Sequence, residues 1–313
     1  MKILITGGAG FIGSHVAERL VAGGDDVLVV DNYETGRRDN LAAGDRLTVI
    51  EGSITDDALM ARAFDDFRPD VVLHAAASYK DPDNYTGDAG TNVLGTAVTV
   101  RHAQRLKVRR LVYLQTALCY GDPVEQPITL AHPIEPSKSS YAISKTAAEM
   151  YIALCGLDYV SFRLANAYGP RNLSGPLPTF YHRLTTGKPC FVMDTRRDFI
   201  FVDDMVSIIE KAIRGAGRRG AYHISTGKDF SIKELFDATV QALGVKLEQD
   251  VEVRPRNPDD VYTILLDPSE TLKDFGIIPS YPLAEGVRRT IAYYRQHGIA
   301  QTYTHLRVPD GKK

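Results

Sequence analysis

Residues 2–13 read Lys2-Ile3-Leu4-Ile5-Thr6-Gly7-Gly8-Ala9-Gly10-Phe11-Ile12-Gly13. An apolar run of strand length breaks at a glycine-rich turn, and a helical pattern over 11–22 starts inside that turn. Gly7 permits a tight turn, Gly10 lets the backbone approach a pyrophosphate, and Gly13 lets the helix pack on the strand. The helix N-terminus adds unpaired N–H groups and a partial positive charge, both favourable to phosphate. Taken alone, the turn is only glycine-rich. With a strand before it and a helix behind it, it becomes a dinucleotide cradle in which Gly7, Gly10, Phe11 and Ile12 face the cofactor.

The pattern continues along the chain. Further strand candidates lie at 26–31, 47–51, 71–74, 111–115 and 159–163, short apolar runs bounded by turn residues, as in strands buried on both faces of a parallel sheet. Helix candidates at 56–67, 91–106 and 141–154 lie between them. This alternation predicts an α/β fold, a doubly wound, Rossmann-like parallel sheet. Past Gly169 the texture changes to turn formers, Gly169-Pro170-Arg171-Asn172-Leu173-Ser174-Gly175-Pro176-Leu177-Pro178. We therefore divide the chain into a dinucleotide-binding domain at 1–165, rejoined by about 197–225, and a smaller α/β substrate-binding lobe at 166–313. Later helices are expected at 179–186, 204–214, 232–243, 268–275 and 283–294, with a strand at 222–225.

Asp31 closes the second strand. A carboxylate there suits the hydroxyls of an adenosine ribose and repels a 2′-phosphate, which favours NAD over NADP. Arg37 and Arg38 in the next loop would act in the opposite sense, but they read as solvated side chains.

Tyr141 and Lys145 stand four apart on a helical stretch and so share one helix face. An ammonium beside a phenol favours the phenolate, which can then take a proton from a hydroxyl. The Tyr-x-x-x-Lys spacing arises often by chance; here it follows the fifth strand of a dinucleotide-binding pattern. Thr116 ends that strand, where such sheets bind ligands, and its hydroxyl can hold the same substrate oxygen. Thr116, Tyr141 and Lys145 are thus the candidate catalytic residues. Cys119, with no activating His or helix N-terminus nearby, reads as a small buried hydrophobe.

Composition bounds the rest. The 313 residues are 44% hydrophobic and 24% charged, with a formal net charge of −2. Such a balance argues against a general nucleic-acid binder or a membrane-surface protein. Cys119, Cys155 and Cys190 cannot pair completely and form no Cys-x-x-Cys, so reduced thiols in a cytoplasmic compartment are expected, with no metal site. No apolar run nears the ~18 residues of a membrane span, and the opening Met1-Lys2 running straight into a strand leads us to expect no signal peptide.

Together these residues resemble the extended short-chain dehydrogenase/reductases in their nucleotide-sugar epimerase/dehydratase branch. The resemblance spans nearly the whole chain. It rests on the Thr6–Gly13 turn, Asp31-Asn32, His74-Ala75-Ala76-Ala77, Asn92-Val93-Leu94-Gly95-Thr96, residues 116–121, the Tyr141/Lys145 pair, residues 163–171 and Arg197-Asp198-Phe199-Ile200-Phe201-Val202-Asp203-Asp204. It implies that Asn32, Ser53, Ile54, Ala75, Ala76 and Ala77 join the NAD site and that Asn92 supports the active-site helices. It also implies that Asn166, Arg171 and Leu177 contact a nucleotide-diphosphate sugar, and that Arg197 and either Arg254 or Arg256 hold its diphosphate, for which a guanidinium is well shaped. A homodimer is implied too, in which helices 91–106 and 141–154 pair with their copies as a four-helix bundle; the apolar spacing Val93, Ala97, Val100 leaves room for it.

Two departures narrow the reaction. The 4,6-dehydratases carry an acidic pair directly after the threonine, and UDP-glucuronate decarboxylases keep the second acid; this chain has Ala117 and Leu118. Leu164 stands where 4-epimerases often carry an aromatic. Thr116, Tyr141, Lys145 and NAD suffice for reversible oxidation at C4, so the expected activity is that of a nucleotide-sugar 4-epimerase working through a transient 4-keto sugar. The alternatives are a dehydratase or decarboxylase drawing its acid from elsewhere (Asp122 and Glu125 are nearest in sequence), a dehydrogenase that releases its cofactor, and a non-catalytic dinucleotide sensor.

Overall fold

The computed structural model describes residues 1–42, 44–123, 125–136, 139–256, 261–299 and 301–303. The chain opens with β1 (Lys2–Thr6), α1 (Phe11–Ala22), β2 (Asp26–Asp31), β3 (Leu47–Glu51), α2 (Asp57–Phe67) and β4 (Val71–His74). It continues through α3 (Tyr85–Asp88), a π-helical turn (Ala89–Leu94), α4 (Gly95–Arg105), β5 (Arg110–Thr116), α5 (Ser140–Leu154) and β6 (Tyr159–Leu164). The expected strands form where the apolar runs place them. The helix expected at 91–106 differs: it begins at Tyr85, where the Asn84 side chain accepts from the Gly87 N–H at 3.0 Å, and passes through the π turn. The Thr96 and Thr99 hydroxyls donate back to the Asn92 and Gly95 carbonyls there, a local competitor to the regular ladder.

The rest comprises β7 (Asn166–Tyr168), α6 (Pro176–Thr185), β8 (Phe191–Met193), β9 (Arg196–Arg197), β10 (Phe199–Phe201), α7 (Val202–Arg214) and β11 (Gly220–Ile224), followed by β12 (Phe230–Ser231), α8 (Ile232–Leu243), β13 (Glu252–Arg254), α9 (Ser269–Phe275) and α10 (Leu283–His297). Seven parallel strands form the main sheet in the order β11-β6-β5-β4-β1-β2-β3. Strand order reverses between β1 and β4, and the crevice outside the strand C-termini at such a reversal is where doubly wound sheets bind ligands.

One sheet face is sealed by Val16, Leu20, Met205 and Ile209 of α1 and α7, the other by Met60, Phe64, Val98 and Ile152 of α2, α4 and α5. A third cluster, with Phe180, Phe199, Phe236 and Ile291, holds α6, α8 and α10 together with the short strand pairs β7–β10 and β8–β13. Asp198 ties this lobe to the end of β11: its buried carboxylate accepts from Ser225, Thr226 and Gly227, and burial raises its pKa.

Candidate active site

A cavity of about 580 Å³ opens at the C-terminal ends of β1, β2, β4, β5 and β6 and extends under α6. Its first part is the glycine turn. Gly7 has φ +69°, and a Cβ there would lie 2.6 Å from the Ala76 backbone; a Cβ on Gly13 would lie 2.4 Å from the Gly7 carbonyl oxygen. Bare glycines thus allow β1, β4 and α1 to converge, leaving the α1 N-terminus at Gly10 open to a phosphate group. Gly7, Gly10, Phe11, Ile12, Asp31, Asn32, Ser53, Ile54 and Ala75 to Ala77 all line this part.

The Asp31 carboxylate is fixed by the Ala9 N–H at 2.9 Å and the Tyr33 N–H at 2.8 Å; burial raises its pKa against those two donors. Arg37 pairs with Asp39 at 2.5 Å, and Arg38 pairs with Glu51 at 2.6 Å over the Tyr33 ring. Neither arginine lines the cavity. The residues present therefore fit a dinucleotide with a free ribose 2′-hydroxyl.

Thr116, Tyr141 and Lys145 line the middle of the cavity. Ser139 caps α5 by accepting from the Ala142 N–H at 3.1 Å, which starts the helix just ahead of Tyr141. Lys145 is 2% exposed, and its backbone carbonyl accepts from the Tyr113 hydroxyl at 3.0 Å and the Gln115 amide at 3.1 Å. The Thr116 hydroxyl oxygen accepts from the Leu118 N–H at 3.2 Å, which leaves its proton to donate into the cavity.

The electrostatics differ from the sequence expectation. Burial pushes the Tyr141 phenol above its ordinary value, helped by Tyr79 and Asp88, while burial pulls the Lys145 ammonium down to about 7 against the opposing pull of Glu149. The lysine is held over the Tyr113 ring, and desolvation is the largest cause of both shifts. Cys119 is buried with its thiol pushed up to about 12, as an inert side chain should be.

Asn166, Leu177 and Arg197 line the far part of the cavity. The Arg197 guanidinium donates to the carbonyls of Val261 and Tyr262, which aim it. Arg171 and Arg254 are not among the lining residues. Arg171 pairs with Glu18 at 2.5 Å; Arg254 pairs with Glu252 at 2.8 Å and stacks 3.8 Å from the centre of the Phe191 ring, behind the wall that Phe191 makes. Residues 257–260 of the loop after Arg256 lie outside the described residues.

Sequence reasoning missed Tyr79, Gln115 and Arg183. Tyr79 stands edge-on to Tyr141 at 6.4 Å, just past the Ala75–Ala77 run, where a lone aromatic was the available signal. Arg183 shares the α6 face of Leu177 and Phe180, three residues apart at each step. Among the described lining residues the carboxylates are Asp31 and Glu34, both at the adenosine end, and there is no histidine or cysteine. Ala117 and Leu118 line the wall beside Thr116.

A family model described as the NAD dependent epimerase/dehydratase family matches residues 3–225. The structure of the Bordetella bronchiseptica enzyme WbmH in complex with NAD+ is 51% identical, covers 95% of this chain and 99% of its own, and superposes with a TM-score of 0.92. That of WbmG from the same organism, in complex with NAD and UDP, is 43% identical over 98% of this chain and 99% of its own, with a TM-score of 0.91. The UDP-glucose 4-epimerase of Mycolicibacterium smegmatis is 32% identical over 94% of this chain and 99% of its own length.

Proposed function

The chain belongs to the NAD dependent epimerase/dehydratase family, and on that premise we propose that it is a nucleotide-sugar 4-epimerase acting on a UDP-sugar. One observation carries the reading. Thr116, Tyr141 and Lys145 line the cavity together beside Ala117 and Leu118, and its only described carboxylates, Asp31 and Glu34, sit at the adenosine end.

When bound, NAD supplies the acceptor that takes the C4 hydride and returns it. Gly7, Gly10 and the α1 N-terminus hold its pyrophosphate, and Asp31 accepts from its ribose hydroxyls. Tyr141 removes the proton from the sugar O4 and later gives it back, and Thr116 donates a hydrogen bond to the same oxygen. Lys145, buried on the same helix face, favours the phenolate whenever it carries its proton. Arg197 binds the diphosphate. Leu118 and Ala117 exclude water beside the reacting carbon and offer no proton to C5 or C6. A 4,6-dehydratase needs an acid and a base at those carbons, so this wall favours epimerisation.

The exposed apolar residues Ile143, Met150, Tyr151 and Leu154 on α5, with Leu94 ahead of α4, support a homodimer through these helices. Val100, expected on that face, packs into the core instead at 6% exposure. Three free cysteines favour a cytoplasmic setting, and among the described residues no helix is long and apolar enough to cross a membrane. Incubation with UDP-, GDP- and dTDP-sugars, followed by identification of the product sugars, tests the function: a C4-inverted UDP-sugar is expected, and turnover confined to another nucleotide class, or no inversion, overturns it.

A further inference from the structure

Behind the cradle lies a line of buried polar groups that the reaction does not use. The Ala76 N–H donates to Thr6 Oγ1 at 3.3 Å; Thr6 Oγ1 lies 2.6 Å from His74 Nδ1; His74 Nε2 lies 2.8 Å from Thr96 Oγ1; and Thr96 donates to the Asn92 carbonyl at 2.5 Å. The Asn92 amide then donates to the Ser78 carbonyl at 3.0 Å and to Ser144 Oγ at 2.9 Å, beside Lys145. Thr6, His74 and Thr96 are fully buried, and none of the three lines the cavity.

The order of protons along this line is determined. Thr96 spends its only proton on the Asn92 carbonyl, so toward His74 it can only accept. His74 must therefore carry its proton on Nε2, which leaves Nδ1 bare to accept from the Thr6 hydroxyl. Thr6, its proton spent, accepts from Ala76. Every group is satisfied by one neutral tautomer, and burial with the nearby Lys145 charge pulls the imidazole down to about 3, far from protonation at neutral pH. The imidazole also stacks on Tyr113 at 5.6 Å, the ring under the Lys145 ammonium.

We propose that His74 is a positioning residue that joins the dinucleotide cradle to the catalytic helix through a one-directional hydrogen-bond chain, so that NAD retention depends on side chains that never touch NAD. Thr6 and Ala76 hold the backbone at Gly7 and Ala75, where the cradle meets the cavity. Asn92 and Ser144 hold the segment carrying Tyr141 and Lys145. Networks of this kind strengthen cooperatively, so loss at one end is felt at the other. The proposal uses the NAD site and does not require the 4-epimerase reading.

The test follows the rate at which bound NAD leaves the purified holoenzyme, by assay of the released dinucleotide. Thr96→Val keeps the shape of the side chain and removes the hydroxyl. It should speed release roughly ten-fold, Thr96→Ser should restore the unaltered rate, and Thr6→Val combined with Thr96→Val should be little faster than either alone, because both cut one chain. Should Thr96→Val not fold, His74→Gln, which can keep the donor toward Thr96 but loses the link to Thr6, carries the same expectation. Unchanged release with only a lowered Tm, or effects of Thr6→Val and Thr96→Val that multiply, overturns the proposal. Release is read without any sugar substrate, so absence of epimerase activity leaves this result intact.

Discussion

Lys145 Nζ sits 4.0 Å from the centre of the Tyr113 ring, and the Tyr113 hydroxyl donates to the Lys145 carbonyl at 3.0 Å. One side chain thus holds both the helix turn and the ammonium of Lys145. A cation over an aromatic face is partly compensated for its lost water, yet burial still draws this one down to about 7.

That shift has a consequence for stability. An unfolded lysine titrates near 10.4, so between about pH 7 and 10 the unfolded chain binds more protons than the folded one, and stability rises with pH through that window. The cost of burying Lys145 is full below pH 7 and fades as the pH rises. Lys145→Met should therefore raise the Tm of the NAD-stripped protein at pH 6.5–7 by more than at pH 10. An equal shift at both pH values would contradict a depressed lysine.

Tyr141→Phe removes only the phenol oxygen. Loss of a general acid–base group costs on the order of a hundred- to ten-thousand-fold in rate, and kcat should fall in that range. Bound NAD per chain, measured after denaturation, should stay close to that of the unaltered protein.

Asp31→Ala should weaken NAD and relax the discrimination against NADP, since the carboxylate both accepts from ribose hydroxyls and repels a 2′-phosphate. Calorimetric titration of the stripped protein with each dinucleotide measures this. NADP binding as tightly as NAD to the unaltered chain would overturn the role given to Asp31.

Gly7→Ala should destabilise the cradle. Its φ of +69° disfavours a side chain, and the new Cβ would sit 2.6 Å from the Ala76 backbone, which cannot swing away. The left-handed backbone alone costs about 1–2 kcal/mol; with the overlap, a lower Tm and loss of bound NAD are expected together.

Much of this was legible in sequence because the signals were local. The strands of the sheet are short apolar runs with turn residues at each end, and Gly7, Asp31, Tyr141 and Lys145 sit at fixed offsets from them. The perch of Lys145 over Tyr113 was not legible, because it joins a helix to a strand some thirty residues away, nor was the burial that raises the Tyr141 phenol where the sequence led us to expect a lowered one. The resemblance implied a substrate contact for Arg171 and a diphosphate contact for Arg254 or Arg256, but Glu18 engages Arg171 and Glu252 engages Arg254, pairings that charge type does not reveal. Val100 was read from helical spacing as outward, but α4 turns that residue to the core.

The central claim is that this cavity moves protons and hydride only at C4, because Ala117 and Leu118 stand beside Thr116 and no described carboxylate lies at that end. Turnover of a UDP-sugar in deuterated water tests it most directly, with deuterium at each sugar carbon read by nuclear magnetic resonance. The account predicts a C4-inverted product with no solvent deuterium at C5 or C6. Deuterium at C5, or a 4-keto-6-deoxy product, would contradict it.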